Sequence, residues 1–312
     1  MDADRIAAAF DLGNGARLSA EPVARGRLGA IWRLETDDGR FAVKVPFAPE
    51  DEHDVRAATA FHEAAYAAGV PTPRVVRTAA GEVFVDVAGA RVRIYEWVDV
   101  LGPDTALDPG LVGATIAAIH RVPDPQSEHD PVAAWYVEPL GAERWDALVE
   151  RLRSAGAPFA AAMTALRDEL VALDEWVVPP GRVRTCHRDL WADNLRGTAA
   201  GGGCVLDWEN SGPADPTYEL ACMLFEFGRG DPGRARALAG AYAEAGGPAR
   251  VARREDFSML IAQLGHIAEV AANAWLAATD PDARADAAAW VAELIDDPHT
   301  PAVLSDLLAA VT

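Results

Sequence analysis

The chain has 312 residues, half of them hydrophobic and 24% charged, with a formal net charge of -20. That length supports one large or two medium lobes around a substantial core, and the negative balance disfavours nucleic acid and anionic membranes, which both require cationic surfaces. No apolar run approaches the roughly 18 residues of a membrane span, the start Met1-Asp2-Ala3-Asp4-Arg5 lacks the features of a secretory leader, and the three cysteines show no metal-ligand spacing, so a cytoplasmic protein with reduced, buried thiols is expected.

Residues 1 to 97 read as a strand-rich lobe. Short runs rich in β-branched and aromatic residues occur at 28–35, 41–45, 82–87 and 91–97, and Asp37-Asp38-Gly39 is a strong hairpin signal between the first two. Between Lys44 and Arg74, the acidic opening Glu50, Asp51, Glu52 and Asp54 leads into an alanine-rich helix that ends near Gly69, ahead of Pro71 and Pro73. Acids in the first turn and glycine then proline past the end are the expected punctuation of a helix.

From residue 98 to 312 the period becomes helical, with helices predicted over 109–121, 142–155, 158–176, 217–228, 233–245, 255–278, 283–295 and 301–311. Short strand-like runs at 182–186 and 203–206 interrupt it, residues 199–203 read as a hairpin turn, and 123–131 as a surface loop. Residues 1–97 hold 15 acids against 12 bases and the remainder 33 against 16, so the helical part carries most of the negative field and would concentrate cations.

The chemistry lies just after the two strand-like runs. His187-Arg188-Asp189-Leu190-Trp191-Ala192-Asp193-Asn194 is followed thirteen positions after the asparagine by Asp207, in Val-Leu-Asp-Trp-Glu. Phosphoryl transfer requires a carboxylate to orient the attacking hydroxyl and accept its proton, oxygen ligands for magnesium, and cationic compensation of the phosphates. Asp189 fits the first part and Asn194 with Asp207 the second, while His187 would brace the loop. Of 28 basic residues, 27 are arginine; the single lysine, Lys44, lies on a predicted strand far upstream. A compact ammonium meets a phosphate differently from a planar guanidinium, which gives a reason for a lysine to persist there. The His-x-Asp-x-x-x-x-Asn pattern is weak alone; its strength comes from the strand before it, Asp207 after it and Lys44.

On these residues the chain resembles the aminoglycoside phosphotransferase and choline kinase-like family, small-molecule relatives of the protein kinases. The resemblance runs from Gly26-Arg27-Leu28-Gly29 through Phe41-Ala42-Val43-Lys44-Val45, Gly69-Val70-Pro71-Thr72-Pro73, Ile94-Tyr95-Glu96-Trp97-Val98 and Ile119-His120 to Asp215-Pro216-Thr217-Tyr218-Glu219-Leu220-Ala221. It implies an α+β, bilobal protein-kinase-like fold with a small β-rich N-lobe (1–97) and a larger, mainly helical C-lobe (98–312), ATP or GTP being held with Mg2+. By matching position, Lys44 would touch the α- and β-phosphates, the Gly26 to Gly29 loop would cover them, and the Glu96 carbonyl and Val98 amide would meet the adenine.

Two positions depart from the family pattern. The helix acid that should pair with Lys44 falls, by counting back from Gly69-Val70-Pro71, on Ala58, leaving Asp54 or Glu63 as substitutes. Arg188 stands where many relatives have glycine or asparagine. The nine positions from Asp207 to Pro216 leave no room for the activation segment that serves protein substrates, so a small-molecule hydroxyl acceptor is expected. Gln263, His266, Glu269 and Asn273 form a polar stripe on the 255–278 helix, which also carries Trp275; this stripe is either a solvent face or an acceptor-binding face. Glu209, Asn210, Trp191, Trp135 and Glu226 are further acceptor candidates. The resulting expectation is a kinase phosphorylating a small cationic molecule such as an aminoglycoside or amino sugar; a nucleotide-binding regulatory protein that has lost catalysis is the alternative, resting on the missing helix acid.

Overall fold

The computed structural model describes residues 1–124 and 130–312, so the predicted 123–131 loop lies mostly outside the described residues. The fold is α+β and protein-kinase-like, with an N-terminal β-sheet region followed by a mainly helical one. In chain order the first region comprises α1 (Ala3–Phe10), β1 (Arg17–Leu18), β2 (Ala24–Arg25), β3 (Gly29–Thr36), β4 (Gly39–Pro46), α2 (Glu52–Ala67), β5 (Val75–Val76), β6 (Val85–Val87) and β7 (Ala90–Glu96). The second comprises α3 (Pro109–His120), α4 (Ala134–Val137), α5 (Ala142–Ser154), α6 (Ala160–Leu173), β8 (Arg184–Cys186), β9 (Leu195–Gly197), β10 (Gly203–Val205), β11 (Gly212–Ala214), α7 (Pro216–Gly228), α8 (Pro232–Glu244), α9 (Ser258–Ala277), α10 (Pro281–Asp296) and α11 (Pro301–Val311).

Two compact units form, and they do not follow a single cut in the chain. One holds Met1–Leu107 with His187–Gly212; the other holds Asp108–His120, Pro213–Thr312 and residues 130–186. The expected lobe boundary at 97/98 marks the change from strand to helix pattern, whereas the segment His187–Gly212 groups with the sheet.

In the first unit a seven-stranded antiparallel sheet runs β1-β3-β4-β7-β5, with β2 paired to β3 and β6 to β7. The β3–β4 hairpin turns at Asp37-Asp38, in the register Thr36 opposite Gly39 and Ile31 opposite Lys44. The β4–β7 register places Lys44 opposite Arg93, so both side chains leave the same face of the sheet. Helix α1, which the sequence reading did not anticipate, is capped by Asp2 accepting from Arg5 N. Its Ile6 and Phe10 pack with Leu34, Phe41, Val43, Val92 and Ile94 on one side of the sheet. Helix α2 begins with Asp51 accepting from His53 N and Asp54 N, and the chain leaves it through Gly69 at φ +84°, a conformation that glycine adopts without strain. Phe61, fully buried on α2, meets the edge of Trp208, and its burial is worth roughly 2 kcal/mol.

The second unit is built of helices around Trp145, Leu148, Leu152, Met163, Leu170, Ala272, Trp275 and Val291. Its α7, α8, α10 and α11 each carry proline in the first turn and are capped by Asp215, Asp231, Asp280 and Thr300, which fixes where the chain turns into each helix. The three cysteines are free and buried, as expected. Among the described residues no helix is long and apolar enough to cross a membrane.

Candidate active site

Every sequence-predicted residue of the phosphate chemistry lies in the first unit. The loop from His187 to Asn194 is tied to the end of β10 by two bonds to one residue: Leu206 N donates to Asn194 O at 2.8 Å, and Leu206 O accepts from His187 Nε2 at 3.0 Å. Asp207, the next residue, is thereby held beside the loop. His187, expected to brace the loop, is fully buried with its ring 4.7 Å from that of Trp208.

Asp189 is half-buried. Asn194 Nδ2 donates to its backbone carbonyl at 2.8 Å and to its Oδ2 at 3.0 Å, and Asn210 Nδ2 donates to the same Oδ2 at 3.0 Å. Loss of hydration and the nearby Asp207 charge push the Asp189 pKa up to about 6, against the opposing pull of the Asn210 and Asn194 bonds and of Lys44. A carboxylate with that pKa is ionised at neutral pH and still basic enough to accept a hydroxyl proton.

Asp207 has φ +53°, in the left-handed region that short polar residues tolerate best, and opens the 3-10 turn Trp208–Asn210. Lys44 Nζ donates to Asp207 Oδ1 at 2.8 Å and meets Glu209 Oε1 at 2.6 Å. Burial alone would lower the Lys44 pKa; the two carboxylates more than reverse this and raise it, while burial of Asp207 is outweighed by Lys44, whose charge lowers that pKa. The ion pair is charged at any physiological pH.

Neither substitute for the helix acid meets Lys44. Glu63 forms a bidentate pair with Arg77 at 2.6 and 2.8 Å, and Asp54 is exposed at the α2 N-terminus. The partner comes instead from the turn after Asp207, where Glu209 had been read as an acceptor ligand. Arg93 Nη2 reaches the same Glu209 Oε1 at 2.5 Å and Glu50 Oε1 at 2.9 Å. Sequence reasoning missed Arg93 altogether and read Glu50 only as part of the acidic opening of a helix, whereas it pairs with Arg93. Arg93 sits between Val92 and Ile94 in a strand with buried residues on both faces, and only the β4–β7 register reveals what it faces.

The Gly26 to Gly29 segment is the tip of the β2–β3 hairpin, closed by Gly26 N donating to Gly29 O at 3.0 Å. A Cβ at Gly29 would lie 2.8 Å from Val45 O, so glycine is required for β3 to approach β4 there. Glu96 pairs through its side chain with Arg74, and its amide donates to Arg74 O, joining β7 to β5 ahead of Val98. Thr72 gathers the site from behind: its hydroxyl donates to Val205 O at 2.8 Å and accepts from Trp208 Nε1 at 2.9 Å, and Val205 N donates to Pro71 O. The Gly-Val-Pro-Thr-Pro stretch therefore fixes the strand that delivers Asp207. Arg188 has φ +66°, which explains why glycine or asparagine suits this position; here its Nε donates to Asn210 O at 2.6 Å and helps hold the residue that binds Asp189.

The α9 candidates belong to the second unit and are engaged within it. Gln263 is buried and accepts from Cys222 Sγ; His266 Nε2 bonds Glu138 O and its ring stacks on Trp135; Glu269 pairs with Arg144. Trp275 is part of the helical core, edge-on to Phe159. Three of the four stripe residues are thus engaged, while the buried Oδ1 of the fourth, Asn273, has no hydrogen-bond partner. Glu226 is paired with Arg229. The family-like stretches Ile119-His120 and Asp215 to Ala221 also meet in this unit: His120 Nε2 bonds Glu219 Oε2 at 2.7 Å, and Asp215 accepts from Gly181 N and Arg182 N as well as capping α7.

The model of the phosphotransferase enzyme family matches residues 19–257, a span containing every group of the site. The chain belongs to that family. None of the curated proteins matches the sequence. Solved structures share the fold of this family member along nearly the whole chain. Spectinomycin phosphotransferase, determined in complex with ADP and spectinomycin, is 13% identical with a TM-score of 0.70, covering 99% of this chain and 98% of that one. An aminoglycoside phosphotransferase from Alicyclobacillus acidocaldarius subsp. acidocaldarius DSM 446 is 19% identical, TM-score 0.61, covering 96% and 94%. A microcompartment-associated aminopropanol kinase is 17% identical, TM-score 0.60, covering 99% of both chains.

The donor set of this phosphotransferase-family site suits a hard divalent cation. Both bonds of the Asn194 amide nitrogen go to Asp189, which turns its oxygen away from that residue, and Asp207 supplies a partly exposed carboxylate. Oxygen-only ligation of this kind is what magnesium takes.

Proposed function

We propose that the protein is an ATP- and magnesium-dependent phosphotransferase that moves the γ-phosphate to a hydroxyl of a small cationic molecule, of the aminoglycoside or amino-sugar type. The observation that carries this reading is the joint geometry of Asp189, braced by Asn194 and Asn210, with Asp207 in an ion pair with Lys44 at 2.8 Å. Asp189 orients the acceptor hydroxyl and takes its proton. Lys44 lies on the phosphates, with the β2–β3 tip at Gly26 and Gly29 over them and the Glu96 to Val98 backbone toward the base of the nucleotide. Asn194 and Asp207 hold magnesium, which when bound offsets charge on the transferring phosphoryl group. The functional division assigns nucleotide binding to 1–97 and catalysis with acceptor binding to 98–312.

The cationic acceptor class is supported by the acidic excess after residue 97. It is further supported by fold relatives named for amine-bearing substrates, aminopropanol kinase and an ethanolamine kinase from Plasmodium vivax among them. Only nine positions separate Asp207 from the start of α7 at Pro216, which argues for a small acceptor rather than a protein. The regulatory alternative loses its one support, since Lys44 has an acidic partner in Glu209.

The test is a panel of aminoglycosides, amino alcohols, amino sugars and nucleosides incubated with MgATP, with product masses read out. Transfer to at least one amine-bearing hydroxyl compound is expected, and Asp189→Asn should reduce turnover by about 100-fold or more, as loss of a general base does. No transfer to any compound, together with unaltered nucleotide binding, would leave the regulatory reading standing instead.

A further inference from the structure

The Lys44 site holds a chain of five charged side chains in one unit: Asp207, Lys44, Glu209, Arg93 and Glu50, linked at 2.8, 2.6, 2.5 and 2.9 Å. Two cations alternate with three carboxylates. The Arg93 side chain is only 3% exposed and that of Glu209 16% exposed, against 40% for Asp207. Charges withdrawn from water to this degree persist only when each is held by an opposite partner, so this arrangement is a built one.

We propose that Glu209 is the positioning residue for Lys44, doing from the turn after Asp207 what a carboxylate on α2 would do, and that Arg93, fixed by Glu50, holds Glu209 in place. This rests on the kinase reading of the site. Three features of the geometry point to it. Ala58, the α2 position expected to carry the acid, is buried and without a charge, while the acids of that helix lie elsewhere, Glu52 on Arg91, Glu63 on Arg77 and Asp54 exposed, so none of them meets Lys44. Glu209 Oε1 is already shared by two cations, which leaves it poorly suited as a ligand for a cationic acceptor. Of the two carboxylates on Lys44, Asp207 is the exposed one that a metal can claim, whereas Glu209 is clamped from behind and stays. Because Asp207 and Glu209 belong to one short turn, anchored through Trp208 to Thr72, a single element sets both the lysine and the metal carboxylate.

A double-mutant cycle separates positioning from a merely structural role. The dissociation constant for MgATP is measured by calorimetry on the wild-type chain, Glu209→Gln, Lys44→Met and the double variant, with the thermal midpoint of each taken without ligand. Each single change is expected to weaken binding about tenfold, and the double variant to bind no more weakly than Lys44→Met alone, because Glu209 acts only through that lysine. Should Lys44→Met not fold, Glu209→Asp serves: it keeps the negative charge in the turn but draws the shared oxygen back by one methylene from Lys44 and Arg93 alike, and is expected to weaken MgATP binding at least threefold. A folded Glu209→Gln or Glu209→Asp with an unchanged constant, or penalties that add in the double variant, overturns the proposal alone. Absence of MgATP binding by the wild-type chain overturns the kinase reading and this proposal with it.

Discussion

Asn210 Nδ2 donates to Asp189 Oδ2 at 3.0 Å, the same oxygen that accepts from Asn194, so one carboxylate oxygen takes both amide bonds and the other takes neither. Asn210 arrives from the turn after Asp207, and its carbonyl is held in turn by Arg188 Nε. Asn210→Leu should lower turnover about tenfold, within the range by which an oriented base contributes. Steady-state kinetics at saturating MgATP checks this, and the nucleotide KM should stay within twofold because Lys44 is untouched. Unchanged turnover would mean that Asn194 alone orients Asp189.

Thr72 joins three segments with one hydroxyl, donating to Val205 O and accepting from Trp208 Nε1. Thr72→Val keeps the shape and removes these two bonds together with the 2.9 Å contact to His62 Nε2, leaving a buried indole N–H and a buried carbonyl short of partners. The expected cost is about 2 kcal/mol of stability, seen as a lower denaturant midpoint. Turnover should fall as well, because Asp207 is carried by the residues Thr72 fixes, and Thr72→Ser should restore most of both. A Thr72→Val protein as stable and as active as wild type would remove this linkage.

Two histidines make stability depend on pH. Burial lowers the His62 pKa to about 4, against the backbone bond to Pro73 O that favours the charged form, and burial alone lowers His299 to about 4. Unfolded, both titrate near 6.5. Their neutral forms are therefore no burden above about pH 6.5, but between that value and pH 4 the unfolded chain binds protons that the folded chain refuses. Each histidine should lower stability as pH drops through this window, by an amount on the order of 1–3 kcal/mol, while Asp189 and Asp174, both raised by burial to about 6, act in the opposite sense below about pH 6. The histidine contribution is therefore read from the difference between wild type and His299→Leu in thermal midpoints from pH 4 to 8, which should shrink as pH falls; a difference independent of pH would exclude His299 as a source.

Tyr242 Oη bonds His120 Nδ1 at 2.8 Å and accepts from Ala249 N at 3.1 Å, while His120 meets Glu219 on its other nitrogen. This network lies within the helical unit and holds α3, α7 and α8 together. Tyr242→Phe should cost about 1–2 kcal/mol, a drop of several degrees in melting temperature. The MgATP dissociation constant should not change. A shift in that constant without loss of stability would assign the network a role at the nucleotide.

The strands from 29 to 46, the hairpin at Asp37-Asp38, α2 and its caps, and nearly all the long helices follow from local chemistry: period, turn residues, caps and glycine or proline stops. That Asp189, Asn194 and Asp207 come together was legible for the same reason, since they lie within one stretch of chain. What escaped was small or non-local. Helix α1 is short, two-residue strands such as β5 have no period, and the stripe on α9 is periodic whether it faces solvent or neighbours. The partner of Lys44 could not be read from the chain because ion pairs are chosen by space rather than by sequence distance. Glu209 reaches Lys44 across 165 positions, and Arg93 joins them through the β4–β7 register, which pairs strands that α2, β5 and β6 separate in the chain. The sequence by itself determined which residues share the spacing expected of a phosphoryl-transfer site; the tertiary structure decided which carboxylates hold Lys44, because a buried ammonium requires an opposite charge and folding brings Asp207 and Glu209, rather than an acid of α2, within reach of it.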